Sequence, residues 1–181
     1  MSKVAVVYWS STGNTEAMAN AVADGIREKG GEAVLHTCED FDGSKVAEYD
    51  AIAFGCPAMG DEVLEDTEFE PMFDGCKDAL KGKNIALFGS YGWGDGEWMR
   101  NWEESCKEAG ANLVCDSVIC QEEPDDEATD ACKALGAAFA HNFGLASSGE
   151  GPTANGKIAV IIGIVVVAVI AAVNSMRKEE A

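Results

Sequence analysis

An apolar run, Val4–Trp9, leads straight into Ser10-Ser11-Thr12-Gly13-Asn14-Thr15, and an amphipathic helical pattern follows without a spacer. Ala17, Met18, Ala21, Val22 and Ile26 recur along one face of that helix. A strand, a tight hydroxyl-rich loop and a helix start together make an anion cradle. The loop and first-turn amides lack helical partners, and the helix dipole favours negative charge beside them. The hydroxyls of Ser10, Ser11, Thr12 and Thr15 add donors that carry no charge. A nucleoside triphosphate loop would need a Lys after the Gly and a wider glycine spacing. Neither is present. The cradle therefore suits one terminal phosphomonoester, held by dipoles and not by cations.

The alternation begun there continues to Asn142. Further strands are predicted over Ala33–Thr37, Ala51–Gly55 and Ile85–Gly89, with a fifth split between Asn112–Val114 and Ser117–Gln121. Most are continuous apolar runs, the pattern of parallel strands buried on both faces. Helices are predicted over Thr15–Lys29, Phe69–Leu80, Trp98–Ala109 and Asp126–Asn142, with a poorly marked one near Ser44–Tyr49. Gly30-Gly31, Gly82 and Gly110 punctuate the helix ends. The expected fold is α/β, a doubly wound five-stranded parallel sheet of order 2-1-3-4-5. Ligands of such sheets sit beyond the carboxyl ends of the strands, where strands one and three diverge. Three loops lie there: Ser10–Thr15, Cys56–Asp66 and Ser90–Glu97.

A formal net charge of −19, from 32 acidic and 13 basic residues, argues against nucleic acid and favours basic partners, or serves solubility alone. The seven cysteines include no Cys-x-x-Cys pair, and with Met1–Trp9 leading straight into the first strand no secretory leader is expected. Free thiols in a reducing compartment are expected, and no metal cluster. His36 and His141 are isolated and read as structural or surface residues.

The segments Met59–Pro71 and Ala86–Gly96, with Ser10–Thr15 and Gln121–Pro124, resemble the short-chain flavodoxins of the clostridial type over residues 2–142. The combination is specific, whereas the phosphate loop alone fits many flavin reductases. The resemblance implies noncovalent flavin mononucleotide (FMN), the commonest phosphomonoester cofactor on such a fold, and one-electron transfer without a catalytic residue. It implies contacts from Ser10, Ser11, Thr12, Gly13, Asn14 and Thr15 around the phosphate. It implies further contacts from Pro57, Ala58, Met59, Gly60, Asp61 and Glu62, and from Ser90, Tyr91, Gly92, Trp93 and Gly94. Trp93 would be the outer stacking wall of the ring and Met59 the inner one. The Gly60 carbonyl would turn toward the ring N5, and Glu62 would accept from the ring N3–H. Two properties of the residues agree. Trp93 stands among Gly92, Gly94 and Gly96, a poor setting for a core residue. A glycine at position 60 makes a peptide turn cheap. Trp98 and Trp102, at four-residue spacing, read as packing. Pro57 departs from the family pattern, standing where related proteins often carry a small hydroxyl residue.

Asp61, Glu62, Glu65, Asp66, Glu68 and Glu70 crowd the rim, and no Lys or Arg lies in the three loops. Like charges in a partly desolvated site oppose an anionic reduced flavin by up to about a few kcal/mol. The expectation is a low-potential carrier cycling between semiquinone and hydroquinone, docking basic ferredoxin- or reductase-type partners.

Beyond residue 143 the composition changes. Residues 144–156 are mostly Gly, Ser, Ala and Pro and read as a flexible linker, with a mean span of ~20 Å. Ile158–Val173 follows, sixteen residues without a charge, rich in Ile and Val. At ~1.5 Å per residue it falls slightly short of a ~30 Å hydrocarbon core, and counting 157–176 brings it into range. We expect one C-terminal transmembrane helix, a short charged tail at 177–181, and a domain on the cytoplasmic face of a membrane. The alternatives for the segment are a buried element of the domain or a processed sorting tail. Alternatives for the whole chain are an FMN-dependent quinone or porphyrinogen oxidoreductase on the same fold, and a non-redox response-regulator-like or nucleotide-binding module. The latter needs an acidic cluster where this chain has Trp9-Ser10-Ser11.

Overall fold

In the computed structural model, residues 2–144 are described. The element order is β1 (Lys3–Tyr8), α1 (Asn14–Glu28), β2 (Glu32–Thr37), β3 (Ala51–Gly55), α2 (Phe69–Cys76), β4 (Asn84–Tyr91), α3 (Glu97–Glu108), β5 (Asn112–Leu113), β6 (Val118–Gln121) and α4 (Asp126–Gly144). All strand pairs are parallel, and the sheet order is β2-β1-β3-β4-β5, with β6 also on β4. β5 pairs with the start of β4 (Asn84↔Asn112) and β6 with its end (Phe88↔Val118). The two pieces thus form the split fifth strand that the sequence predicts.

Side-chain alternation explains the two layers. Ala5, Val7, Ile52, Phe54, Ile85 and Leu87 point to one face, packed with Phe69, Phe73, Trp98 and Trp102 of α2 and α3. Val4, Val6, Ala51, Ala53, Ala86 and Phe88 point to the other, packed with Met18, Val22 and Ile26 of α1 and Leu135 and Phe139 of α4. With both faces covered, the central strands must be apolar throughout, and all of β3 is buried. Trp98 and Trp102 are core residues, 1% and 2% exposed. Trp102 stands edge-on to Phe69 and Phe73, with centroids 5.4 and 5.6 Å away.

Some boundaries differ from expectation. Ala17 is exposed, while Ala19, Ala23 and Gly25 are buried, because α1 packs against both the sheet and α4. A Cβ on Gly25 would overlap the Lys133 carbonyl, and one on Gly136 the Val22 carbonyl, so the two helices cross at backbone contact. The weak helical signal near Ser44–Tyr49 becomes a short 3₁₀ segment, Gly43–Glu48, after another at Cys38–Asp40. Asp42 caps it, accepting from the Ser44 amide at 2.7 Å. The C-terminal part of the second helix, Lys77–Ala79, is also 3₁₀. His36 bonds the Tyr49 hydroxyl at 2.7 Å, a structural role. All seven cysteines are free.

Of the expected linker at 144–156 only Gly144 is described, as the last residue of α4; the rest of it, the transmembrane helix at 157–176 and the tail at 177–181 lie outside the described residues. No helix among the described residues is long and apolar enough to cross a membrane, and none of their side-chain clusters is suited to a metal ion.

Candidate functional site

β1 ends at Tyr8 and α1 begins at Asn14, so the hydroxyl-rich segment is a loop at the carboxyl edge of the sheet. Gly13 turns the chain into α1 at φ 91°, and nothing fills the space of its missing Cβ. Ser10 Oγ accepts from the Gly13 amide at 3.2 Å and Thr12 Oγ1 from the Asn14 amide at 3.4 Å. These hydroxyl oxygens shape the loop as acceptors, and each O–H can still donate. Thr15 is buried, its hydroxyl 3.0 Å from Ser90 Oγ at the end of β4. The amides of Ser11, Thr12 and Thr15 have no acceptor among the described residues, which leaves them for an anion at the N-terminus of α1.

The second loop leaves β3 at Gly55. The Cys56 amide bonds the Phe88 carbonyl at 3.1 Å and the Ala58 amide the Ser90 carbonyl at 2.9 Å. Pro57 is buried, Ala58 and Met59 half-buried, Gly60 and Asp61 exposed. Met59 and Val63 exchange two backbone hydrogen bonds, at 2.8 and 3.0 Å, closing a tight turn over Gly60, Asp61 and Glu62. Gly60 (φ 49°) and Glu62 (φ 52°) are both left-handed in it. For Gly60 this costs little. For Glu62 it costs on the order of 1–2 kcal/mol and needs compensation.

That compensation comes from the third loop. Glu62 Oε1 accepts from the amides of Asp95 (3.2 Å), Gly96 (2.9 Å) and Glu97 (2.9 Å), where α3 begins. Oε2 makes no hydrogen bond among the described residues. Gly94, at φ 94°, has no room for a Cβ, which would overlap the Glu62 carboxylate. Trp93 between its glycines is 60% exposed. Tyr91 lies against Trp98, with centroids 5.5 Å apart. Gln121 Nε2 donates to the Gly92 carbonyl at 3.1 Å, and the Glu122 backbone amide to the Tyr91 carbonyl at 2.9 Å. The predicted segments thus converge at one edge of the sheet, through Thr15–Ser90, Ala58–Ser90 and Glu62–Gly96.

The acidic rim needs correction. Glu65 is 4% exposed and points inward. Its carboxylate accepts from the hydroxyl and amide of Thr67 and from the amides of Glu68 and Phe69, each amide at 2.8–2.9 Å. Burial raises its pKa, but these donors outweigh burial and hold it below the ordinary carboxylate value. Glu68 accepts from the Trp9 indole at 2.5 Å. Asp61, Asp66 and Glu70 are exposed. A cation also returns to the rim from outside the loops. Arg100, in the first turn of α3, pairs with the Asp95 carboxylate at 2.7 Å and the Asp95 carbonyl at 2.9 Å. Cys56, the cysteine nearest these loops, is fully buried and its thiol pKa is pushed far up by burial, so it is inert.

The family model described as flavodoxin matches residues 6–136. The chain is 45% identical over 137 residues to a flavodoxin of Megasphaera elsdenii, covering 76% of this chain and 98% of that one. It is 46% identical over 125 residues to a flavodoxin of Clostridium beijerinckii, covering 69% and 91%. This chain belongs to the flavodoxin family. The solution structure of two-electron reduced Megasphaera elsdenii flavodoxin superposes with a TM-score of 0.71 at 46% identity, over 76% of this chain and 98% of that one. Flavodoxins are FMN-binding electron carriers, and FMN is the cofactor here. The flavodoxin loops of this chain fit that group on their own terms. The unpaired amides at the α1 N-terminus suit a phosphate, and the exposed indole of Trp93 suits a flat aromatic ring.

Proposed function

We propose that this flavodoxin is a low-potential one-electron carrier working on the second of the two one-electron steps of bound FMN. FMN supplies the electron chemistry, and the protein supplies binding and electrostatics. The amides of Ser11, Thr12 and Thr15 would hold the phosphate. Trp93 and Met59 would flank the ring, and Glu62 would offer Oε2 to the ring N3–H. The exposed Gly60–Asp61 turn would present its carbonyl to N5. The observation that carries the low potential is the charge balance of the rim. Asp61, Asp66 and Glu70 are exposed, the three loops hold no cation, and Arg100 is engaged with Asp95. Added negative charge on the flavin is opposed there. The same face would draw basic ferredoxin- or reductase-type partners through salt-sensitive encounter.

We further propose that residues 1–143 form the redox domain and that the apolar stretch at 157–176 tethers it to the cytoplasmic face of a membrane. The support is compositional: sixteen uncharged residues, Ile158–Val173, behind a Gly/Ser-rich stretch. Tethering raises the effective concentration at membrane-bound partners.

An anaerobic redox titration of the full-length chain with FMN, followed by absorbance, tests the first proposal. Two separated one-electron steps with a low second potential are expected. A single two-electron step would overturn it in favour of a flavin-dependent quinone or porphyrinogen oxidoreductase. Cell fractionation tests the tether, which fails if the full-length chain is soluble and monomeric.

A further inference from the structure

Six acids lie between Asp61 and Glu70, and they do not share one role. We infer that Glu65 is a positioning residue that clamps the stem of the Gly60 turn to α2, and is not one of the charges that oppose reduction of the cofactor. The inference rests on the reading of the Gly60 turn given above.

Glu65 is the one buried carboxylate of that run. Its Oε2 takes the Glu68 and Phe69 amides, both at 2.8 Å, and its Oε1 takes the Thr67 amide at 2.9 Å and the Thr67 hydroxyl. These amides face the N-terminus of α2, so the charge is compensated by four donors and a helix dipole. The Glu65 amide itself donates to Cys56 Sγ at 3.4 Å, across the mouth of the loop. The Glu70 amide in turn donates to the Glu65 carbonyl at 2.9 Å. One residue therefore joins the outgoing stem of the loop, at Cys56, to its returning stem and to α2.

The turn beyond this clamp is short. The Met59–Val63 bridge closes it and the Glu62 carboxylate is held by the α3 amides, leaving the Gly60–Asp61 peptide as the part free to reorient. A peptide rotation at Gly60 stays local only if the stem does not follow it. Loosening the stem spreads the motion over the whole loop and weakens the preference of the Gly60 carbonyl for the ring. Asp66 is adjacent, carries the same charge, and is exposed. The two acids thus predict opposite effects of the same change in charge.

The test uses full-length chain in mild detergent, as wild type, Glu65→Gln, Thr67→Ala and Asp66→Asn. Amide hydrogen exchange is read on the FMN-free chain, and both one-electron potentials on the FMN-loaded chain. Glu65→Gln is expected to speed exchange at Met59 and Val63 at least tenfold. It also weakens the first-step equilibrium about tenfold, a fall of ~59 mV for one electron. Thr67→Ala removes a clamp donor without changing charge and moves both readouts the same way by a smaller amount. Asp66→Asn leaves exchange unchanged and raises both potentials. The inference is overturned if Glu65→Gln follows Asp66→Asn in sign and exchange. If Glu65→Gln does not fold, an unchanged first potential in Thr67→Ala overturns it. Failure of the wild-type chain to bind FMN would refute the proposed function, while the exchange data would still decide the clamp.

Discussion

Removing the Glu62 side chain separates two terms that the geometry sets against each other. The carboxylate caps α3 through three amides, at 2.9–3.2 Å. Loss of a helix cap costs about 0.5–2 kcal/mol. The charge-assisted character of these bonds places the loss toward the upper end, ~1.5 kcal/mol. Residue 62 also sits at φ 52°, which costs a non-glycine residue on the order of 1 kcal/mol. Glu62→Ala loses the cap and keeps the strain. Glu62→Gly loses the cap and relieves the strain. The alanine variant should therefore be less stable than wild type by ~1.5 kcal/mol and the glycine variant by about a third of that. With a urea slope of roughly 1.5–2 kcal/mol/M, the alanine midpoint falls by ~0.8–1 M. Urea unfolding of the FMN-free chain, followed by circular dichroism, reads both. If Glu62→Ala unfolds at the wild-type midpoint, the cap contributes nothing. If Glu62→Gly is the weaker of the two, the strain assignment is wrong. FMN affinity of Glu62→Ala should fall as well, since the capped segment carries the Trp93 loop.

Trp93→Ala should leave the urea midpoint within about 0.5 kcal/mol of wild type, because the indole is 60% exposed. It should weaken FMN about tenfold through lost stacking, measured by fluorescence titration. Gly136→Ala places a Cβ over the Val22 carbonyl and 3.0 Å from the Ile26 nitrogen, so α1 and α4 must part. A loss of ~2–3 kcal/mol is expected by calorimetry, with weaker FMN binding because α1 carries the phosphate loop; an unchanged melting temperature would refute the close crossing. Glu65 has a folded pKa below its ordinary value, so its stabilisation is complete above the unfolded value of ~4.3 and is lost as pH falls through the folded one. The stability gap between wild type and Glu65→Gln should thus be constant from pH 7 to about 5 and shrink below about 4; a gap that grows on acidification would contradict the sign.

Features dictated by local pattern were legible in the chain. β3 is buried on both faces and reads as an unbroken apolar run, and the split of the fifth strand shows as a break in hydrophobicity at Asp116. The phosphate loop is legible because its parts are contiguous: a strand, Gly13 and a helix start. The division of labour among the acids is of another kind. In composition Glu62 and Glu65 cannot be told from Asp61 or Asp66, and a charge sum treats them alike. Glu65 had a local signal, since its acceptors serve residues two to four positions ahead, the spacing of a helix-start cap. Glu62 had none. Its partners lie 33 to 35 residues away, and only the packing of α3 beside β4 brings them within reach. Ala17 failed for a related reason: α1 serves two partners, so its buried face is wider than one amphipathic stripe and centred elsewhere. A run of like charges beside a cofactor is therefore not one electrostatic object. Part of it holds helices and turns in place, as Glu62 and Glu65 do, and part stands exposed at the rim, as Asp61 and Asp66 do.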